Sequence, residues 1–70
     1  MVERLTEREY QVLILVAKSK TNEEIAQELH ITVKSVEYHI TNILGKLGAA
    51  NRTEAVVKAL ARGLLDLAEF

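Results

Sequence analysis

Few residues in this chain can do covalent or metal chemistry, and their spacing organises none of it. There is no cysteine, so neither a disulfide nor a thiolate zinc site can form. The two histidines, His30 and His39, lie among scattered carboxylates without metal-ligand spacing. No nucleophile–base pair, phosphate loop or carboxylate pair can be placed, which argues against an enzyme and implies neither metal nor cofactor. A different set stands out: Lys34, Glu37, Tyr38, Thr41 and Asn42. At about 100° per residue, Lys34, Tyr38, Thr41 and Gly45 line one side of a helix, with Glu37 and Asn42 flanking them. Lysine, tyrosine, threonine and asparagine can donate to phosphate or to base edges, and none is too bulky for a major groove. Glu37 differs, since it can accept from a cytosine amino group but is repelled by phosphate. The bland alternative is a merely solvated helix face.

The elements that would present this face are helices. Proline is absent, strand alternation is nowhere sustained, and a 3.6-residue period recurs, so the chain reads as all-α with four helices near 7–18, 22–29, 33–47 and 52–62. Thr6 with Glu9 three residues on is a capping-box pattern ahead of Val12, Leu13, Val16 and Ala17, which share a face with Leu5. Thr21 or Asn22 caps a short second helix that buries Ile25, Ala26 and Leu29, and His30 and Ile31 turn the chain. Thr32 caps the third, whose Val36, Ile40, Ile43, Leu44 and Leu47 form one apolar stripe ending at Gly48. Asn51 caps the fourth, which stops at Gly63. The second and third helices are joined by about three residues, with small Ala26 where their backbones approach, the arrangement of a helix-turn-helix.

Seventy residues make one domain, 1–70, with one thin core. No apolar run nears the roughly 18 residues of a membrane span, the longest being Val12 to Ala17, and the N-terminal Met-Val-Glu-Arg shows no signal peptide. Together with the absence of cysteine this predicts a cytoplasmic location and no membrane partner. Net charge is −1, yet it is unevenly spread. Residues 1–30 hold four cations and six carboxylates, whereas 31–63 hold five cations (Lys34, Lys46, Arg52, Lys58, Arg62) and only Glu37 and Glu54. The local field, not the total, is what a phosphate meets.

The fourth helix has two apolar faces. Ala55, Val56 and Ala59 suit the core, while Thr53, Val57, Leu60 and Ala61 form a second strip that predicts a homodimer interface. The alternative is that Leu64, Leu65 and Leu67 fold back over that strip. Glu9, on the inner side of the first helix, either closes its capping box or pairs with Arg52. His39, at the edge of the buried stripe, reads as packed or phosphate-touching and not as a pH sensor.

These residues, in order and register from Leu5 to Leu64, resemble the LuxR/NarL/FixJ-type helix-turn-helix DNA-binding domain of bacterial response regulators and stand-alone GerE-like regulators. The resemblance is carried by Leu5-Thr6-Glu7-Arg8-Glu9, Thr21-Asn22-Glu23-Glu24-Ile25-Ala26, Lys34 to Ile40, Asn42-Ile43, Lys46-Leu47-Gly48 and Arg52-Thr53-Glu54-Ala55. It implies a four-helix bundle whose third helix enters the major groove of double-stranded DNA and whose fourth mediates dimerisation. Carried onto this chain, Glu37, Tyr38 and Thr41 would read bases, and Asn22, Lys34, Ser35, Asn42 and Lys46 would touch phosphates. The pattern often has lysine where Glu37 stands, although glutamate followed by tyrosine is also a familiar variant, and usually a glycine where Ser19 stands. With fewer cations, modest monomer affinity and a shallow salt dependence are expected. A two-fold dimer would read an inverted repeat. The implied setting is a transcription regulator's output domain, with an upstream receiver domain and RNA polymerase as further partners. The competing class is a helical protein–protein module, either an adaptor or one like sigma-factor region four.

Overall fold

The computed structural model describes residues 4–66 and 68. Four α-helices follow in order: α1 Glu7–Ala17, α2 Asn22–Leu29, α3 Val33–Leu47 and α4 Arg52–Ala61. No strand occurs among the described residues.

Each start is fixed by a side chain on otherwise orphaned amides. Thr6 Oγ1 accepts from Glu9 N at 3.1 Å while Glu9 Oε1 accepts from Thr6 N at 2.9 Å, closing the box ahead of α1. Thr21 and Glu24 repeat the exchange at 3.1 and 2.8 Å ahead of α2. Thr32 Oγ1 accepts from Ser35 N at 3.0 Å, and Asn51 Oδ1 from Glu54 N at 2.9 Å. Two of the stops are left-handed residues, whereas Lys18 (φ −83°) and Arg62 (φ −93°) close α1 and α4. His30 (φ 58°) ends α2 and Gly48 (φ 65°) ends α3, while Ser19 (φ 64°) turns the chain between α1 and α2. A side chain in this region meets its own backbone, so Ser19 holds a conformation that glycine would adopt without strain.

Helix α3 is the hub and packs against each of the other three. Its Val36, Ile43 and Leu47 are buried with Ile40 and Leu44 partly so, and they meet Val12, Leu13 and Leu15 of α1, Ile25 and Ala26 of α2, and Ala55 and Ala59 of α4. The buried arc of α1 is wider than one stripe. Leu15, outside the expected face, is buried because α1 is flanked by α2, α3 and α4 together, while Val16 and Ala17 are only partly covered. Helices α1 and α4 each end one residue before the expected limit. Beyond α4 the chain returns Leu65 to the core at 4% exposure, whereas Leu64 stays 38% exposed. Leu67 lies outside the described residues. On the second face of α4, Leu60 lies beside Leu65 while Val57 is 59% exposed.

Candidate nucleic-acid interface

With its apolar stripe clamped between three helices, α3 has one free side. Lys34, Glu37, Tyr38, Thr41 and Gly45 are exposed there, and Ser35 and Asn42 are half-buried at its margins. Among the described residues Tyr38 is the most exposed large apolar side chain, at 65%, and its ring rests edge-on against His39 at a centroid distance of 5.8 Å. Nothing in the core needs an aromatic at this position. Thr32 Oγ1 donates to Ser35 Oγ at 3.0 Å, which fixes that hydroxyl at the α3 N-terminus. A Cβ built on Gly45 meets nothing within 4 Å, so no close approach inside the chain requires a glycine there.

The cations of the 31–63 segment are mostly spoken for. Lys46 Nζ forms an ion pair with Glu9 Oε1 at 2.7 Å and donates to the Arg4 carbonyl at 3.1 Å. Lys58 donates to the Gly48 carbonyl at 2.6 Å and pairs with Glu54 at 3.4 Å. Arg62 donates to the Leu47 carbonyl at 3.2 Å. Arg52 donates to Asn22 Oδ1 at 2.7 Å and to the Lys20 carbonyl at 3.0 Å. Among the described residues, Lys34 is the one cation of this segment without an intramolecular bond.

Lys46, expected at a phosphate, uses two ammonium hydrogens within the domain, on the Arg4 carbonyl and on the Glu9 carboxylate, which at 4% exposure requires a counter-charge, and it keeps the third. Glu9 does close the capping box, but its cationic partner is Lys46 and not Arg52, whose guanidinium instead bridges the starts of α2 and α4. Asn22, also expected at a phosphate, has its side-chain oxygen occupied by Arg52 and keeps its amide hydrogens for other acceptors. Burial works to raise the Glu9 carboxyl, but the Lys46 hydrogen bond, the Thr6 amide and the Lys46 charge together outweigh it and hold its pKa below the usual glutamate value. The Glu9–Lys46 pair spans 37 residues of sequence, and Lys58 and Arg62 reach carbonyls at the end of α3, so no local pattern announces these contacts; only the Glu54–Lys58 pair has a helical spacing.

A shallow groove runs beside this face, where the first residues of α2, α3 and α4 (Asn22, Val33, Arg52) converge with Glu37, Val56 and Val57. Of the residues expected to join a second copy, Thr53, Val57 and Ala61 are exposed, while Leu60 is half-buried against the core. No cluster of potential metal ligands occurs among the described residues, and none of their helices is long and apolar enough to cross a membrane.

Residues 3–59 match the family model described as bacterial regulatory proteins, luxR family. The response regulator protein VraR of Staphylococcus aureus (strain Mu3 / ATCC 700698) is 48% identical over 66 residues, covering 94% of this chain and 32% of that protein. The chain therefore spans about a third of the length of the curated relatives it matches. Among solved structures, the transcription factor GerE superposes with a TM-score of 0.85 at 35% identity, covering 90% of this chain and 94% of that one. Vibrio cholera VqmA, in a structure described as a ligand–DNA complex, superposes at 0.83 and 33% identity over 90% of this chain and 28% of its own.

Proposed function

The chain belongs to the luxR family of bacterial regulatory proteins, whose members are DNA-binding transcription regulators and not enzymes, and from that premise we propose that it binds operator DNA through α3. The observation that carries this reading is the free side of α3. Tyr38 stands exposed beside Glu37 and Thr41 while the opposite side of the same helix is locked into the core. The base-edge contacts are Glu37, Tyr38 and Thr41. Lys34, the Ser35 hydroxyl, Asn42 and the Asn22 amide lie around them and serve the phosphates, with Lys46 acting through the fold instead.

The affinity a single copy lacks comes from a second one. The exposed strip of Thr53, Val57 and Ala61, with Leu60 at its edge, joins two copies on an inverted repeat whose half-sites lie about one helical turn apart. A receiver domain on the N-terminal side, as the response-regulator relative suggests, would control that pairing in the cytoplasm, and RNA polymerase is the onward partner.

The test is a gel-shift assay on the promoter of the chain's own gene. Tyr38→Ala and Thr41→Ala should each abolish the specific complex while helicity, read by circular dichroism, is unchanged. Unaltered binding would refute the reading and favour a protein-binding adaptor acting through the Val57 strip. For the dimer, Val57→Glu should preserve the fold and remove cooperativity on paired half-sites; retained cooperativity would discard that interface.

A further inference from the structure

We infer that Glu37 is a base discriminator, admitting a cytosine at one position of each operator half-site and excluding the other three bases. This rests on the DNA-binding reading of α3 and goes further, because it fixes the class of sequence bound.

The argument begins with what surrounds the carboxylate. Glu37 is exposed and makes no hydrogen bond or ion pair among the described residues. Lys34 is three residues earlier, within helical reach, yet forms no bond with it. Arg52, which lines the same groove as Glu37, has its guanidinium engaged by Asn22 Oδ1 and the Lys20 carbonyl. The negative charge of Glu37 is therefore not neutralised within the domain. On a helix face turned to DNA this is costly: a carboxylate is repelled by both phosphate backbones, and its charge offsets that of Lys34; Lys20, which lines the same groove, forms no bond with it either. It is compatible with binding when it meets a donor on the groove floor.

A carboxylate only accepts hydrogen bonds. Guanine offers it O6 and N7 and thymine O4, all acceptors, so both repel it. Adenine offers an amino group beside the acceptor N7, where one attraction and one repulsion oppose each other. Cytosine alone presents its amino group without a competing acceptor. The discrimination is thus mostly negative, and three of four bases are rejected because they leave the charge unpaired.

Selection from a random-sequence duplex pool, carried out with the wild-type chain, Glu37→Gln and Glu37→Ala, tests this. The wild type should enrich a motif with one cytosine per half-site that exceeds any other base at that position by roughly tenfold. Glu37→Gln should move the preference at that position, and only there, to adenine, whose N6 and N7 match an amide's acceptor and donor. Glu37→Ala should flatten it while raising affinity for unrelated duplex. A motif whose every position is unchanged in both variants overturns the inference and leaves DNA binding standing. Enrichment of no motif by any of the three proteins overturns both. Because Glu37 is exposed and has no partner to lose, circular dichroism should show all three equally folded.

Discussion

Replacing Lys46 with methionine should destabilise the domain by about 1.5–3 kcal/mol at neutral pH, and the deficit should shrink in acid. Methionine keeps the apolar stem and removes the ammonium, so packing changes little. The carboxylate it leaves behind is 4% exposed and loses its bond at 2.7 Å. Removing one partner of a fully buried pair costs about 3–5 kcal/mol. Here the orphan keeps the Thr6 amide at 2.9 Å, and the lysine side chain was already 20% exposed. The smaller range for a hydrogen bond to a charged group, about 1.5–3 kcal/mol, therefore applies. For a domain of this size that lowers Tm by about 6–24 °C.

The pH dependence follows from the sign of the Glu9 shift. Its folded pKa is depressed, so the wild type holds this stability above the ordinary glutamate range and loses it as pH falls through the lower folded value. Without Lys46 the hydrogen bond and charge that it supplies are lost, only the Thr6 bonds still oppose burial, and the carboxyl takes up its proton more readily. Once neutral, it no longer needs a cation, and the two proteins converge. Glu54, held low by the Ala50 amide, and Glu24, held low by the Thr21 amide, titrate alike in both and cancel. Thermal melts followed by far-UV circular dichroism at neutral and acid pH measure the difference. Equal stability at neutral pH, or a deficit independent of pH, would show that the pair contributes nothing and that this reasoning is wrong.

Ser19→Gly should raise stability by about 0.5–1 kcal/mol, since relief of the left-handed strain at φ 64° exceeds the added freedom of the unfolded chain; chemical denaturation reads it. Gly45→Ala should stabilise α3 by about 1 kcal/mol, because the helix gains propensity and the new methyl meets nothing within 4 Å; an unchanged urea midpoint would contradict this. Titration of DNA affinity against salt should give a shallow slope, which Lys34→Met flattens by about 0.9 per protomer and Arg62→Met leaves unaltered. A loss of slope in the Arg62 variant would mean that its guanidinium leaves the Leu47 carbonyl for a phosphate.

The helices were legible because their signals are local. Thr6–Glu9, Thr21, Thr32 and Asn51 each act within one turn, as do the stops at Gly48 and Gly63, and the α3 stripe is read directly from its spacing. The free side of α3 followed from that stripe by subtraction. The allocation of the cations was not legible. Charge composition marked 31–63 as basic, but whether a lysine meets solvent or a carbonyl depends on which helix end lies beside it. Lys46 reads outward on the α3 pattern yet reaches back to Glu9, and of the two alternatives open to Glu9 the capping box forms while Arg52 donates to Asn22. Leu15 escaped for a related reason: a helix wrapped on several sides buries more than one period predicts. Leu60 sits between the two faces of α4, and only the packed neighbours place it half inward.

Lys58 and Arg62 grip the Gly48 and Leu47 carbonyls, so the last turn of α3 is bolted to the helix that carries the Val57 strip. In the proposed dimer this makes the domain a gauge of length as well as a reader of letters. One base pair inserted between half-sites turns one of them by about 34–36° and shifts it by about 3.4 Å. A rigid joint absorbs neither, so tolerance to spacing, more than tolerance to mismatch, is what these two side chains withhold.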